Sequence, residues 1–471
     1  METLIRSYKR FDDKLFRSLT NNAIQHRKNA GLGLWLAPLV GLSVAITLLR
    51  KDSSYSEICL LTGIAGIGLM MSCLCLCIRL SVKTTAIKDF EVLYFLPAML
   101  TSVLFLLFGN KGLLVSVTWG LAVGTIGTWG VLQTISYFPG CFTFGEASAV
   151  AQTAIVFLLS AAVNLPLRYH LPPIHNDDIA TVILQVAILF VATIGLLCAA
   201  FPQIRTPMWF YLTTFGVLLF GAVPILHVLL DQSPLLWVLG FVFDNIGRVF
   251  MVLYWMLCLE LGIGVVAYQI VSKSKASTSV RKSFHLLAVM VYIPGLISEP
   301  MLLYLATGLV MALFLMLELM RILNLPPLGE VLQQGFSVFG DEKDLFVSLT
   351  PLYLLAGLSF PLWLPANNLT FLSLLSGILT IGVGDTAASI VGSKFGTHKW
   401  TGSPKSIEGT IACICSQLIV IYGLTYLGFL SGIWLLLRAT IAVVGVSLVE
   451  AWTDQVDNLA LPILMYLALV L

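Results

Sequence analysis

Long apolar segments alternate with short polar segments along the chain from residue 31 onwards. An α-helix needs about 20 predominantly apolar residues to cross a bilayer, and most of these segments reach or approach that length. In chain order they are residues 31–49, 56–78, 90–108, 112–137, 146–165, 178–200, 207–230, 235–271, 284–298, 301–320, 345–363, 368–392, 408–429, 432–449 and 457–471. The pattern predicts an all-α polytopic integral membrane protein with about 15 transmembrane helices.

The eighth segment, 235–271, is longer than one span needs, and it contains Asp244 and Arg248. It fits either one long helix or a short re-entrant piece followed by a helix. An acid four residues before a base favours an ion pair on one helix, and a charge inside a membrane needs a partner. We therefore expect Asp244 and Arg248 to pair, in a structural role rather than a catalytic one.

The composition agrees with a membrane protein. Of the 471 residues, 58% are hydrophobic and 11% are charged, whereas a soluble domain carries about 25% charged residues. The nine cysteines include no C-x-x-C pair. We interpret them as small apolar side chains and not as disulfide partners or zinc ligands. We expect the lipid bilayer as a partner and no nucleic acid.

Positive charge distinguishes the two membrane faces. If the N-terminus is cytosolic and the eighth segment crosses once, 20 of the 26 Lys and Arg residues fall in cytosolic segments and four in the opposite loops. Cytosolic loops of membrane proteins carry such an excess. The same orientation places the unusual polar segments of the second half on the cytosolic face. Acids gathered at a surface, rather than at the midplane, argue against a secondary transporter.

The most distinctive polar segment is 382–410, GVGDTAASIVGSKFGTHKWTGSPKSIEGT. Glycines let backbone N–H groups approach a ligand closely, and successive turns can aim them at an anion. Lysines add charge for phosphate, and a carboxylate can hold a divalent cation that bridges phosphate oxygens. The segment fits nucleotide binding, but equally a flexible basic loop between helices. No G-x-x-x-x-G-K-[ST] phosphate loop occurs in the chain.

Three further polar segments share this predicted face. They are 273–285 with Lys273, Lys275, Arg281, Lys282 and His285; 318–344, which ends in Asp341, Glu342, Lys343 and Asp344; and 450–462 with Glu450, Asp454, Asp457 and Asn458. Asp454 and Asp457 are three residues apart, so on a helix they share a face. Two carboxylates beside a basic glycine-rich loop suit a cation that carries a triphosphate. Each segment alone is ordinary in a membrane protein, but their convergence on one face favours a functional site.

These residues resemble a known family. GDTAASIVGSKFG followed by KSIEGT looks like the CTP-binding region of dolichol kinases, and RKSFH, the Asp-Glu-Lys-Asp cluster and EAWTDQVDNL are similar to that family's pattern. FPGCFTFGEASAV, residues 138–150, also resembles a dolichol kinase segment. The resemblance is specific over residues 270–471. We therefore expect an N-terminal accessory transmembrane region over 1–270 and a catalytic transmembrane core over 271–471.

The resemblance implies transfer of the γ-phosphoryl group of CTP to the terminal hydroxyl of dolichol or a related polyprenol. The product would serve protein glycosylation at the endoplasmic reticulum membrane, with the N-terminus and the CTP site cytosolic. Composition and spacing alone distinguish neither CTP from ATP nor dolichol from another lipid alcohol. A divalent cation, most simply Mg²⁺, is expected as cofactor.

The expected site residues fall into three groups. As catalytic residues we expect Asp385, Lys394, Lys405, Arg281, Lys282 and His285. For the nucleotide we expect Gly382, Gly384, Thr386, Gly392, Ser393, Gly396, Ser403, Glu408 and Gly409. As ligands of the cation we expect Asp385, Asp454 and Asp457.

Three alternatives remain open from the sequence. A phytol or farnesol kinase would share the core residues, usually in a shorter chain. A phosphatidate cytidylyltransferase also uses CTP at a membrane, but its P-G-H-G-G-x-x-D-R-x-D signature is absent here. A membrane transporter is disfavoured by the acids gathered at one surface.

Glu146 opens an apolar helix, where a carboxylate is costly unless it is paired. It either favours the positive end of the helix as a first-turn acid or docks its loop against the basic segments 273–285 or 393–407. Both interpretations are open from the sequence alone.

Overall fold

The computed structural model describes residues 2–49, 57–82, 91–173, 175–272, 276–340, 344–364 and 369–471. Within these ranges the secondary structure is helical, apart from one isolated β-bridge between Lys399 and Ser406. The predicted all-α class is confirmed.

The described residues form a succession of helices. The α-helices are α1 (Glu2–Asn21), α2 (Leu39–Ala45), α3 (Glu57–Val82), α4 (Phe95–Phe108), α5 (Leu113–Thr125), α6 (Val131–Tyr137), α7 (Phe144–His170), α8 (Asn176–Ala200), α9 (Pro207–Val217), α10 (Val223–Leu230), α11 (Pro234–Phe243), α12 (Ile246–Ser272), α13 (Thr278–Ser298), α14 (Pro300–Ile322), α15 (Leu328–Phe339), α16 (Leu349–Trp363), α17 (Phe371–Leu374), α18 (Thr386–Phe395), α19 (Ile407–Tyr426), α20 (Ile433–Trp452) and α21 (Asp457–Val470). Three π-helical segments, Ile126–Gly130, Leu218–Ala222 and Ile378–Asp385, interrupt them.

Ten helices among the described residues are long and apolar enough to cross a membrane, and five shorter apolar helices accompany them. The chain is therefore a multi-pass membrane protein. The number of about 15 crossings stays a prediction, because a short apolar helix can cross, re-enter or lie within the protein.

The chain forms two compact units. Unit 1 comprises residues 1–163, 364–370 and 453–471, and unit 2 comprises residues 164–363 and 371–452. The functional division expected at residue 270 stays a prediction.

The long eighth apolar segment is broken at Asp244 into two helices, so the arrangement as one long helix is wrong, and the re-entrant position of the first piece stays a prediction. Helix α11 ends before Asp244 and α12 begins at Ile246, with the Asn245 side chain accepting a hydrogen bond from Gly247 N at 2.8 Å. The expected pair of Asp244 with Arg248 is wrong, because the two residues do not lie on one continuous helix. Arg248 instead pairs with Glu299 at 2.9 Å.

Close backbone contacts in unit 2 position the π-helical segment that ends at Asp385. A Cβ added to Gly382 would lie 2.3 Å from the Val289 side chain on α13, and one added to Gly384 would lie 2.6 Å from Gln417 on α19. Only glycine leaves room for these contacts. The segment therefore lies close between α13 and α19, and this places Asp385 against the first turns of α13.

Candidate active site

Helix α13 presents two polar side chains to Asp385. Ser277 caps the helix by accepting a hydrogen bond from Val280 N at 3.3 Å. Lys282 and His285 are three residues apart and therefore lie on one face of the helix. The Lys282 ammonium pairs with Asp385 Oδ2, and His285 Nδ1 lies 3.4 Å from the same oxygen.

Asp385 is a buried carboxylate at the end of a π-helical segment. Its exposed fraction is 5%, and Ser389 Oγ donates to its Oδ1 at 3.4 Å. A charge buried to this extent needs a partner, which Lys282 supplies. Wide π-helical turns inside helices occur frequently at functional sites. The position and burial of Asp385 both fit its expected catalytic role.

A second ion pair lies on the loop between α18 and α19. Lys405 Nζ donates to Glu450 Oε1 at 2.6 Å and to the Glu450 carbonyl oxygen at 2.7 Å. The loop is held in a narrow hairpin by the hydrogen bond from Trp400 N to Lys405 O at 3.1 Å, and it turns at Gly402 with φ +79°. Glu450, which is 5% exposed, is a site residue that the sequence reasoning did not assign.

The two ion pairs form one cluster. A carboxylate oxygen of Asp385 lies within 4.8 Å of one of Glu450, and Lys405 is close enough to interact electrostatically with Asp385. Two carboxylates therefore face each other with two ammonium groups beside them. Hard carboxylate oxygens are the ligands that Mg²⁺ prefers, and ammonium groups bind phosphate oxygens, so the cluster fits a magnesium–phosphate group.

Three of the expected nucleotide-binding glycines lie where α18 and α19 cross. Cβ atoms added to Gly392, Gly396 and Gly409 would lie 3.0, 2.6 and 3.1 Å from the Ser406 hydroxyl. Ser406 in turn caps α19 by accepting from Gly409 N at 3.2 Å. The N–H of Gly396 donates to Gly392 O at 3.2 Å. These glycines serve close packing, and their expected contact with a nucleotide stays a prediction.

The other expected residues of segment 382–410 lie nearer the surface. Lys394 and Ser393 are exposed at the end of α18, and Thr386 is half-buried at its start. Ser403 Oγ accepts from Lys405 N at 3.2 Å within the hairpin. Glu408 accepts from Thr397 Oγ1 at 2.8 Å and lies 2.7 Å from His398 Nδ1. Arg281 is half-buried on α13, one residue before Lys282.

Asp454 and Asp457 belong to unit 1. The expectation that they share one face of a helix is wrong, because α20 ends at Trp452 and α21 begins at Asp457. Asp454 Oδ2 accepts a hydrogen bond from Gly31 N at 2.6 Å, and Oδ1 accepts one from Gln455 Nε2 at 2.8 Å. Their roles as cation ligands stay predictions.

The segment 318–344 has a structural role where it is described. Asp344 accepts from Leu349 N at 2.8 Å and Thr350 N at 3.0 Å and so caps α16. Glu318 pairs with Arg321 at 2.7 Å. Residues 341–343, and Lys273 and Lys275 of the segment before α13, lie outside the described residues.

Glu146 behaves as a first-turn acid of α7. Glu146 Oε2 accepts from Thr143 N at 3.0 Å and Thr143 Oγ1 accepts from Glu146 N at 3.2 Å, which is a capping box. The carboxylate also pairs with Arg27 at 2.9 Å. The helix-start interpretation is confirmed, and the charge partner is a residue of the N-terminal segment rather than of the basic segments that were considered.

Comparisons with known proteins point to one family. The family model described as dolichol kinase matches residues 126–347. Human dolichol kinase is 36% identical over 360 residues, which cover 70% of this chain and 65% of the human protein. The Arabidopsis thaliana dolichol kinase EVAN is 37% identical over 247 residues, covering 50% of this chain and 43% of that protein.

The yeast relative is more distant. Saccharomyces cerevisiae dolichol kinase is 31% identical over 199 residues, covering 41% of this chain and 36% of the yeast protein. No solved structure matches the chain. The matched part spans about two thirds or less of each of these relatives. Over these parts of its length, the chain is similar to dolichol kinases.

Proposed function

We propose that the chain is a CTP-dependent lipid-alcohol kinase that transfers the γ-phosphoryl group of CTP to the terminal hydroxyl of dolichol or a related polyprenol. The observation that carries this proposal is the cluster of Asp385, Glu450, Lys282 and Lys405, which combines buried carboxylates with ammonium groups beside apolar helices. The similarity to dolichol kinases supports the acceptor class, and the resemblance of segment 382–410 to a CTP-binding region supports the donor.

The carboxylates of Asp385 and Glu450 would hold the divalent cation, most simply Mg²⁺, and Asp457 is proposed from the sequence as a third ligand. Their oxygen atoms are the donors that this ion prefers. When bound, the ion neutralises charge that develops on the phosphate oxygens. Asp454 is retained only as a sequence prediction, because its surroundings favour another role.

The lysines have the largest part in binding the triphosphate. Lys282 and Lys405 each pair with one carboxylate, and on binding they would turn toward phosphate oxygens while the carboxylates turn toward the cation. This exchange keeps every buried charge compensated. Lys394 and Ser393 would contribute weaker contacts from the surface, and Arg281 would add positive charge near the site.

The reaction forms a bond between the alcohol oxygen and the γ-phosphorus and breaks the bond from that phosphorus to the oxygen bridging to the β-phosphate. CDP leaves, and the proton of the hydroxyl passes to the Asp385–His285 pair. Such transfers need positioning and charge neutralisation more than covalent catalysis. His285, held 3.4 Å from Asp385, would orient the hydroxyl, and the polyprenyl chain would lie in the hydrocarbon layer.

The charge distribution supports a cytosolic N-terminus and a cytosolic cluster, and the resemblance to dolichol kinases supports the endoplasmic reticulum membrane. An inserted glycosylation tag after residue 366 is therefore expected to be glycosylated, whereas the same tag after residue 400 is not. Mobility shifts before and after glycosidase treatment measure both. Glycosylation only at 400 would contradict the orientation.

The function is tested with the purified full chain in lipid vesicles that contain dolichol, phytol or farnesol. With CTP labelled in the γ position, label is expected on dolichol, whereas label in the α position stays in CDP. Transfer of α label to a lipid would indicate a cytidylyltransferase instead. Preference for phytol or farnesol, or for ATP over CTP, would correct the proposed acceptor or donor.

A further inference from the structure

Two tryptophans of unit 2 lie together beside the Lys405–Glu450 ion pair, and the proposed chemistry uses neither of them. Trp400 belongs to the hairpin between α18 and α19, and Trp452 is the last residue of α20. Their ring centroids are 4.7 Å apart, with the ring planes inclined at 55° to each other. The Trp452 side chain is 53% exposed. An open aromatic surface therefore adjoins the site that we propose for the triphosphate.

The hairpin directs Trp400 and Lys405 to the same end of α20. The two residues lie opposite each other next to the β-bridge, and Trp400 N donates a hydrogen bond to Lys405 O at 3.1 Å. Side chains of directly opposed residues in an antiparallel pair project from one face. The Lys405 ammonium reaches Glu450, and the Trp400 ring reaches Trp452, two residues further along the chain. The aromatic pair and the ion pair are therefore built by the same two elements.

A hydrogen bond fixes the orientation of the Trp400 ring. Its Nε1 donates to Thr410 Oγ1 at 2.9 Å, and Thr410 is buried in the first turn of α19. The polar edge of the Trp400 ring therefore points to α19, while the ring also contacts Trp452. Because the two ring planes are tilted rather than parallel, neither ring covers a whole face of the other. The half-buried Trp400 thus supports Trp452, which keeps an open face.

This combination of groups matches the two ends of a nucleoside triphosphate. Ammonium groups bind phosphate oxygens, and exposed aromatic rings stack on bases. If Lys405 binds the phosphates, only the ribose separates them from the base, and the aromatic surface lies beside that lysine. Exposed tryptophans are also common at membrane surfaces, where they anchor helices in the interface. An anchor would not require a second tryptophan, held in orientation, on a polar hairpin.

We propose that Trp452, supported by Trp400, is the surface on which the cytosine base of CTP stacks. This inference rests on the proposed function and adds a subsite for the base to the site for the triphosphate. Every base has an aromatic face, so stacking is tolerant of the base that is present. The two tryptophans therefore raise the affinity for a nucleotide without selecting cytosine by themselves.

The test uses the purified full chain in lipid vesicles and compares Trp452→Leu with Trp452→Phe. Leucine removes the aromatic face, whereas phenylalanine keeps one. The matched control is Trp209→Leu, since Trp209 is 52% exposed near the start of α9 in unit 2. Two quantities are measured: the Kd for labelled CTP with Mg²⁺ in the absence of a lipid alcohol, and the inhibition constant of inorganic tripolyphosphate, which has no base.

Trp452→Leu is expected to weaken CTP binding by about tenfold, because stacking is lost, and to leave tripolyphosphate inhibition within about twofold of the wild type. Trp452→Phe is expected to bind CTP within about threefold of the wild type, because the smaller ring still stacks. The Trp209 control is expected to leave both quantities unchanged. An unchanged CTP affinity in Trp452→Leu, an equal loss for CTP and tripolyphosphate, or an equal loss of CTP binding in the control overturns the inference.

A second measurement uses the wild type and needs no variant. A CTP analogue with a photoreactive azide on its base is cross-linked to the protein, and the labelled peptides are identified by mass spectrometry. Cross-links that CTP competes away are expected at Trp400, Trp452 or the turn 401–404. If competed cross-links are found only in other segments or not at all, the inference is wrong. A wild type that transfers no phosphoryl group from CTP overturns the proposed function itself, so the two failures are distinguished.

Discussion

Replacing Asp385 with asparagine is expected to lower turnover by about a thousandfold, which corresponds to about 4 kcal/mol of lost transition-state stabilisation. The substitution keeps the size of the side chain but removes the charge that pairs with Lys282 and that would bind the cation. Initial rates of γ-label transfer at saturating CTP and dolichol measure the effect.

The control for this prediction is Asp344→Asn. Asp344 is another buried aspartate of unit 2, 6% exposed, and its carboxylate caps α16. Asparagine caps a helix about as well as aspartate does, so this variant should keep near-normal turnover per folded molecule. Equal turnover in the Asp385 and Asp344 variants would remove Asp385 from the reaction.

Glu450→Gln is expected to lower transfer by about a hundredfold at fixed Mg²⁺, since a contact to a charged group contributes about 1.5–3 kcal/mol. The amide oxygen still accepts a hydrogen bond from Lys405, but the charge near Asp385 is gone. The loss should therefore be partly recovered as the Mg²⁺ concentration rises. A Mg²⁺ titration of the transfer rate measures it.

Glu318→Gln provides the matched control, because Glu318 is also a partly buried carboxylate in an ion pair, with Arg321 at 2.7 Å. It should leave the Mg²⁺ dependence of the wild type intact. Should Glu450→Gln give the same titration curve as Glu318→Gln, Glu450 does not contribute to the cation site.

The fold class follows from the sequence because repeated apolar segments of spanning length are typical of membrane-crossing helices and rare in soluble domains. The sequence does not predict where a helix ends or begins within those apolar segments. The break at Asp244 is accompanied by an ion pair between Arg248 and Glu299, which is distant in sequence. Hydropathy also treats a short helix such as α11 and a longer one such as α12 as one continuous segment. Tertiary pairing, which a single sequence does not display, determines both.

The sequence identified three members of the cluster, Asp385, Lys282 and Lys405, as polar residues on one predicted membrane face. It identified the neighbouring His285 in the same way. Glu450 was noticed but not assigned, because it ends an apolar helix where an acid can also be solvated. Its signal was the cost of a carboxylate inside an apolar helix. The expected phosphate binding by Gly392, Gly396 and Gly409 stays a prediction, because composition does not distinguish a glycine that approaches a ligand from one that lets two helices pack closely.

We propose that Asp385, Glu450, Lys282 and Lys405 form one site for the cation and the triphosphate. A cryo-electron microscopy map of the full chain with Mg²⁺ and a non-hydrolysable CTP analogue tests this directly. We expect triphosphate density in contact with both lysines and an ion in contact with both carboxylates. Triphosphate density elsewhere, with the two lysine–carboxylate pairs intact, would contradict it.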